Sequence, residues 1–129
     1  MERRQVAGSV LIALGGVVLL ASAAAKFARV PPIVAELGAF GFVGSKLILI
    51  AVIEVLSALL FLIPRTRSAG LLLVSSYLGG AIATHVQHDQ SVVQPAVVLT
   101  ILWLGAWLRH PEILWSVRPV AHVGVAYGH

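Results

Sequence analysis

Three ionisable residues, Lys26, Glu54 and His85, lie within or at the edge of otherwise apolar stretches of the sequence. Glu54 is the most unusual, because it stands near the middle of LILIAVIEVLSALLFLI, residues 47–63, where the only other polar residue is Ser57. An amine, a carboxylic acid and an imidazole are groups that proteins use to donate and accept protons. The three residues therefore predict proton exchange with a bound molecule, if the fold brings them together.

The stretches that must position these residues have the composition of membrane-spanning helices. The chain of 129 residues is 59% hydrophobic and 11% charged, which is too apolar for a soluble domain of this size. A helix needs about 20 residues to cross about 30 Å of hydrocarbon. We predict an all-α fold and a single integral membrane domain over residues 1–129. It is a four-transmembrane-helix bundle, up-down-up-down, with a short interfacial helix between helices 1 and 2 and with the four spans at about 6–28, 42–63, 69–88 and 92–109.

The distribution of arginine predicts how the bundle lies in the membrane. One side carries the N-terminus, the connection between the second and third spans, and the C-terminal segment, with Arg3, Arg4, Arg65, Arg67, Arg109 and Arg118. The opposite connections offer Arg29. By the positive-inside rule both termini are cytoplasmic, in what we expect to be a bacterial plasma membrane. The same side would hold an interfacial aromatic belt of Trp103, Trp107 and Trp115.

Several alternative classes fit the sequence less well. The first apolar run is longer than the roughly 7–15 residues of a secretory signal, so we interpret it as a retained helix, with cleavage as the alternative. Without cysteine the chain cannot carry out thiol–disulfide exchange or bind metal through thiolates. His85 and His88 could offer two imidazoles to one metal, but no further ligands accompany them, and we predict no metal site. Haem binding is not supported, because no second histidine would face the first. Nucleic-acid binding is not supported either, because the sequence has no basic stripe with interleaved aromatic residues.

The depth of the polar residues predicts a wedge-shaped pocket that opens towards the outer side. At about 1.5 Å per residue, Glu54 lies roughly 16 Å above the arginines that follow its helix, near the bilayer midplane, and Tyr77 lies at a similar depth. The other polar residues fall in the outer third of the spans. We predict that Glu54, His85 and Lys26 are catalytic and that the substrate-binding residues are Tyr77, Gln94, His88 and Lys46.

Each of these residues also has a purely structural interpretation. A charge at the centre of a membrane helix costs about 2.5 to 3.5 kcal/mol, so Glu54 needs a basic partner such as Lys26 or is held neutral by desolvation. Glu54 could simply join its helix to a neighbour through hydrogen bonds. Lys26 and Lys46 could extend to the lipid headgroups, and the two histidines could be interfacial residues without a special role.

The sequence as a whole resembles a known family. The stretches AAAKFARVPP, IVAELGAFG, LIAVIEVLSALLFLIPRTR, SSYLGGAIATHVQHD and QPAVVLTILWLGAWLRHP are similar to those of the DoxX-like family of small four-helix membrane proteins, over about residues 7–112. The family takes its name from a membrane subunit of thiosulfate:quinone oxidoreductase, and relatives are linked to redox complexes and thiol stress. The resemblance therefore implies a role near quinones or other lipophilic substrates.

Three hypotheses of function remain open at this point. In the first, a redox-associated protein, as an oxidoreductase subunit, binds a quinone-like or other lipophilic molecule in the pocket and exchanges protons with it. In the second, the same groups form an acid–base enzyme, an isomerase or hydrolase, for a lipophilic substrate. In the third, the chain is a non-catalytic structural or transport subunit. No cofactor motif is evident, and a quinone is the candidate cofactor. The expected partners are the lipid bilayer, a lipophilic small molecule and a membrane or redox protein, without nucleic acid.

Overall fold

A computed structural model of the protein describes residues 2–114. Within this range the regular structure is entirely helical, as predicted, and no strand occurs. Residues 2–114 form five α-helices and two short 3-10 helices, Pro64–Thr66 and Pro111–Leu114. The α-helices are α1 Arg3–Phe27, α2 Pro31–Ala39, α3 Ser45–Leu62, α4 Arg67–Gln87 and α5 Val93–Arg109. Trp115, Arg118 and the rest of the predicted domain after residue 114 lie outside the described residues.

Three of the helical segments are long and apolar enough to cross a membrane: Arg3–Phe27, Ser45–Leu62 and Pro64–Gln87. Helix α5 is also apolar but has 17 residues, which corresponds to about 25 Å of helix. Large apolar side chains such as Val17, Leu49 and Leu72 are exposed on the outside of the helices, where lipid would cover them. The prediction of an apolar, helical membrane protein is confirmed, and the crossing by α5 stays a prediction.

The four long helices pack in a ring. Helix α1 packs against α3 and α5, α3 packs against α4, and α4 packs against α5. The core between them is built by buried apolar side chains, including Leu19, Phe61, Val74 and Leu102. Buried positions on α3 recur every three or four residues, so one face of a uniformly apolar helix is turned inward. Glu54 belongs to that inward face and is 2% exposed.

The two ends of the bundle are named here after one residue each. The Pro64 end contains the start of α1, the Pro64–Thr66 turn and the end of α5. The His85 end contains the end of α1, helix α2, the end of α4 and the start of α5. At the Pro64 end α1 and α5 approach so closely that a side chain at Gly8 would collide with the backbone of Arg109 and Gly105. The absence of a side chain at Gly8 permits this contact.

Helix boundaries differ from the predicted ones where local chemistry extends or shortens an apolar run. Helix α1 begins at Arg3, before the predicted start at about residue 6, because the polar residues that precede the apolar run are also helical. Helix α3 begins at Ser45, three residues after the apolar run starts, because Gly44 precedes it with a φ of 57°. The short helix between the first two spans exists as α2, and it starts at Pro31, a residue suited to a first helical turn.

Candidate functional site

Glu54 forms an ion pair with Lys26 in the interior of the bundle. Lys26 Nζ lies 2.7 Å from Glu54 Oε1, and the two side chains are 7% and 3% exposed. The same ammonium donates a second hydrogen bond, also of 2.7 Å, to Ser22 Oγ. A buried charge needs a partner of this kind, since leaving it unpaired in an apolar interior is costly. The ion pair therefore joins the last turns of α1 to the middle of α3.

The local sequence explains why Lys26 reaches Glu54. Ser22 and Lys26 are four residues apart on α1, so they lie on the same face of the helix. That face also carries the buried residues Leu19 and Ala23, which pack inward. A long lysine side chain at the end of this face can extend along apolar surface and place its ammonium one turn or more from its own Cα. The amine thus reaches an acid located deeper in the bundle.

Tyr77 of α4 lies beside the ion pair. Its ring centroid is 5.9 Å from Lys26 Nζ, within the range of a cation–π contact. Because Tyr77 belongs to α4, the polar cluster connects three of the four long helices. Its phenol group can both donate and accept a hydrogen bond, so it can contact a bound molecule as well as the ion pair.

His85 lies about two helical turns after Tyr77 on α4 and does not pair with Glu54. Its Nδ1 is 2.6 Å from the carbonyl oxygen of Ala81, and its Nε2 is 3.8 Å from Oε1 of Glu36 on α2. The ring of Phe40 packs edge-on against His85 at a centroid distance of 5.1 Å. His85 therefore contacts Glu36 of the short helix α2 and Phe40, the residue that follows this helix.

His88 takes part in the same attachment of α2 to α4. Its Nδ1 lies 2.9 Å from the carbonyl oxygen of Thr84, and its ring packs against Phe40 at 4.9 Å. Both histidines thus place Nδ1 against a carbonyl oxygen one turn earlier in α4. Both rings also pack against Phe40, which follows α2 directly. In the range of residues 2–114 no three His, Cys, Asp or Glu side chains are grouped so that they could hold a metal ion.

A cavity of about 160 Å³ at the His85 end connects the ion pair with Tyr77 and His85. Its apolar lining comes from α1, α2, α4 and α5. Its polar lining consists of Ser22, Lys26, Glu36, Glu54, Tyr77, His85 and Gln94. The ion pair lies at the α1–α3 side of the cavity, and Glu36, which is about half exposed, lies towards solvent with His85. The cavity is thus the space that all these side chains share.

The cavity includes five of the seven residues that the sequence singled out. Lys26, Glu54, Tyr77, His85 and Gln94 line it, whereas His88 packs on Phe40 outside it and Lys46 is exposed near the start of α3. Ser22 and Glu36 line it without having been predicted. Ser22 had a signal in its spacing of four residues before Lys26. Glu36 had a weaker one, as the single acid of the short helix.

These features define a small helical membrane protein whose apolar bundle contains a cavity lined by both apolar and polar side chains. The particular family follows from sequence comparison. The sequence model of the DoxX-like family matches residues 10–108, which is most of the chain and includes every polar residue of the cavity. The chain belongs to the DoxX-like family, and the predicted resemblance is confirmed. No curated protein and no solved structure matches the chain.

Proposed function

We propose that the cavity binds the ring of a quinone-like lipophilic molecule and exchanges protons with it. The observation that carries this proposal is a buried carboxylate, Glu54, facing a cavity inside an apolar bundle. An apolar cavity of about 150 Å³ accepts a molecule the size of benzene, so this one has room for a ring but not for a complete isoprenoid molecule. The remainder of the ligand would extend between helices towards lipid.

Proton exchange assigns a role to each ionisable group. Glu54 accepts a proton from a ring hydroxyl or returns one to a ring oxygen, and the ammonium of Lys26, 2.7 Å away, compensates the charge that remains. His85 lies at the side of the cavity nearer to solvent and would pass the proton outward, with Glu36 beside it. In this proposal Glu54, His85 and Lys26 are the catalytic groups, and Tyr77 and Gln94 position the ring.

The proposed orientation in the membrane makes the cavity open outward. All four long helices would cross the bilayer up-down-up-down, with both termini in the cytoplasm. The close contacts support alternating directions, since the start of α1 lies against the end of α5 and the start of α4 lies against the end of α3. A reporter enzyme fused after residue 129 should be active on the cytoplasmic side, and one inserted between α2 and α3 on the outer side. The opposite pair of results would overturn the orientation.

Mass spectrometry of lipophilic molecules that co-purify with the protein tests the binding proposal. Wild type should retain a ring-bearing lipophile, and Glu54→Gln should retain much less of it. Glu112→Gln is a matched control, because this glutamate lies at the Pro64 end and is largely exposed. Equal retention by all three proteins would overturn the role of Glu54. A wild-type protein that carries lipid alone would count against the binding of ring compounds.

A second candidate role is a structural one, and the direct ion pair favours it. Lys26 and Glu54 could serve only to join α1 to α3, because a buried pair specifies how two apolar helices meet. The double variant Lys26→Met with Glu54→Leu separates the two roles, since it replaces the pair by apolar side chains. A double variant that is folded and still retains the ligand would establish the structural role. A folded one without ligand would support the proposed chemistry.

A further inference from the structure

The charged groups of the cavity are unequally divided between hydrogen-bond donors and acceptors. They comprise one ammonium, Lys26, and two carboxylates, Glu36 and Glu54. Two of the three N–H groups of Lys26 are already used, by Glu54 Oε1 and Ser22 Oγ, and the ring of Tyr77 lies 5.9 Å from the ammonium. The charged donor of the cavity is therefore largely satisfied within the protein.

Glu54, in contrast, keeps acceptor capacity for a ligand. An ionised carboxylate offers about four acceptor positions, of which the ammonium of Lys26 occupies one and the nearby hydroxyls of Ser22 and Tyr77 can occupy others. Because Glu54 lines the cavity while its side chain is 3% exposed, the cavity is the route by which a ligand can reach it. Its carboxylate thus presents a charged acceptor at the inner side of the cavity.

The imidazole of His85 presents a second acceptor at the outer side. Its Nδ1 lies 2.6 Å from a backbone carbonyl oxygen, which can only accept, so Nδ1 carries the hydrogen. In the neutral ring Nε2 is then an acceptor; His85 lines the cavity, and its Nε2 is 3.8 Å from the carboxylate of Glu36. Acceptors therefore stand at both sides of the cavity, and the two carboxylates outnumber the one ammonium.

We infer that the cavity selects a ring that carries hydroxyl donors, a hydroquinone or a related phenol, over the corresponding quinone. This inference rests on the proposed binding of a ring. A hydroxyl can donate a charge-assisted hydrogen bond to Glu54 and a further bond to His85 Nε2. The carbonyl oxygens of a quinone can only accept, so they gain no hydrogen bond from Glu54 or Nε2 and depend on the neutral donors Tyr77 and Gln94. An anionic amphiphile such as a fatty acid is disfavoured by the same carboxylates.

Binding of matched oxidised and reduced ligands to the full chain tests the inference. The probes are a short-chain benzoquinone, its hydroquinone and lauric acid, titrated calorimetrically under anaerobic conditions into protein reconstituted in lipid nanodiscs. The hydroquinone should bind about tenfold more tightly than the quinone, as expected for one hydrogen bond to a charged group. Lauric acid should bind more weakly than the hydroquinone.

Variants identify the atoms that produce this preference. Glu54→Gln replaces one acceptor oxygen by an NH2 donor, so the preference for the hydroquinone should fall towards onefold. Glu36→Gln should reduce it by a smaller factor, because this side chain is about half exposed to solvent. Glu112→Gln, the same substitution at the Pro64 end, should leave it unchanged. If Glu54→Gln does not fold, the comparison of Glu36→Gln with Glu112→Gln decides.

The outcomes distinguish this inference from the proposal on which it rests. A quinone that binds as tightly as the hydroquinone, or more tightly, overturns the inference and leaves ring binding intact. Tighter binding of lauric acid also overturns it. If folded wild-type protein binds neither ring compound, the proposed function fails together with the inference. A preference that survives Glu54→Gln and Glu36→Gln unchanged contradicts the proposed effect of the two carboxylates.

Discussion

The Pro64 end and the His85 end of the bundle are built from equally apolar helices but are closed in different ways. At the Pro64 end the backbones touch, as at Gly70, where a side chain would collide with the backbone of Phe61. Gly79, further along the same helix, is exposed on the outside of the bundle and has open space where a side chain would extend. A glycine permits close approach of helices, but the neighbouring helix must also come near. The cavity of about 160 Å³ lies at the His85 end.

Polar groups follow the same division. At the Pro64 end the guanidinium of Arg67 donates hydrogen bonds of 2.9 Å to the carbonyl oxygens of Phe61 and Leu62, and its Nη1 lies 3.1 Å from His110 Nε2. These bonds satisfy the last carbonyl groups of α3. At the His85 end Glu54 and His85 keep acceptor positions that face the cavity. Polar residues therefore complete the packing at one end and line the cavity at the other.

The largest effect is expected from breaking the ion pair of the His85 end on one side. Glu54→Leu leaves the buried ammonium of Lys26 without its partner and should destabilise the protein by about 3 to 5 kcal/mol. Adding Lys26→Met removes the stranded charge, so the double variant should regain most of the loss. Thermal unfolding in one detergent measures both. A single variant as stable as the double one would show that Lys26 finds another partner or lies in solvent.

An intermediate effect is expected from a substitution at the closely packed end. Gly70→Ala introduces a methyl group against the backbone of Phe61, and overpacking of this kind costs about 1 to 3 kcal/mol. Gly79→Ala is the matched control on the same helix, and it should be neutral or stabilise by up to about 1 kcal/mol through helix propensity. Similar unfolding temperatures for the two variants would contradict the close packing at Gly70.

The smallest effect concerns a single hydrogen bond between α4 and α5. Trp103 was predicted as part of an interfacial belt, but its Nε1 donates a 2.8 Å hydrogen bond to Ser75 Oγ. Trp103→Phe removes that donor and should cost about 1 kcal/mol. Trp107→Phe is the control, because this ring is exposed and lies 5.2 Å from the guanidinium of Arg4. Equal stability of both variants would assign Trp103 to the membrane interface alone.

The sequence predicted the elements of the fold and most members of the candidate site. Runs of apolar residues indicate membrane helices, and Pro31 and Gly44 mark boundaries because their backbone preferences are local. Counting residues from the arginines placed Glu54 and Tyr77 at one depth, since a helix rises by a constant distance. The cavity also includes Glu36, which depth counting could not find, because α2 does not continue any of the long helices.

The sequence by itself determined that this protein is helical, apolar and a member of the DoxX-like family, because hydropathy and family patterns are read along the chain. Tertiary structure decided which charged groups meet. Lys26 pairs with Glu54 while His85 lies near Glu36, and these partners depend on how α1 is rotated and where α2 packs. Long flexible side chains on largely apolar helices leave that choice open until the helices pack against one another.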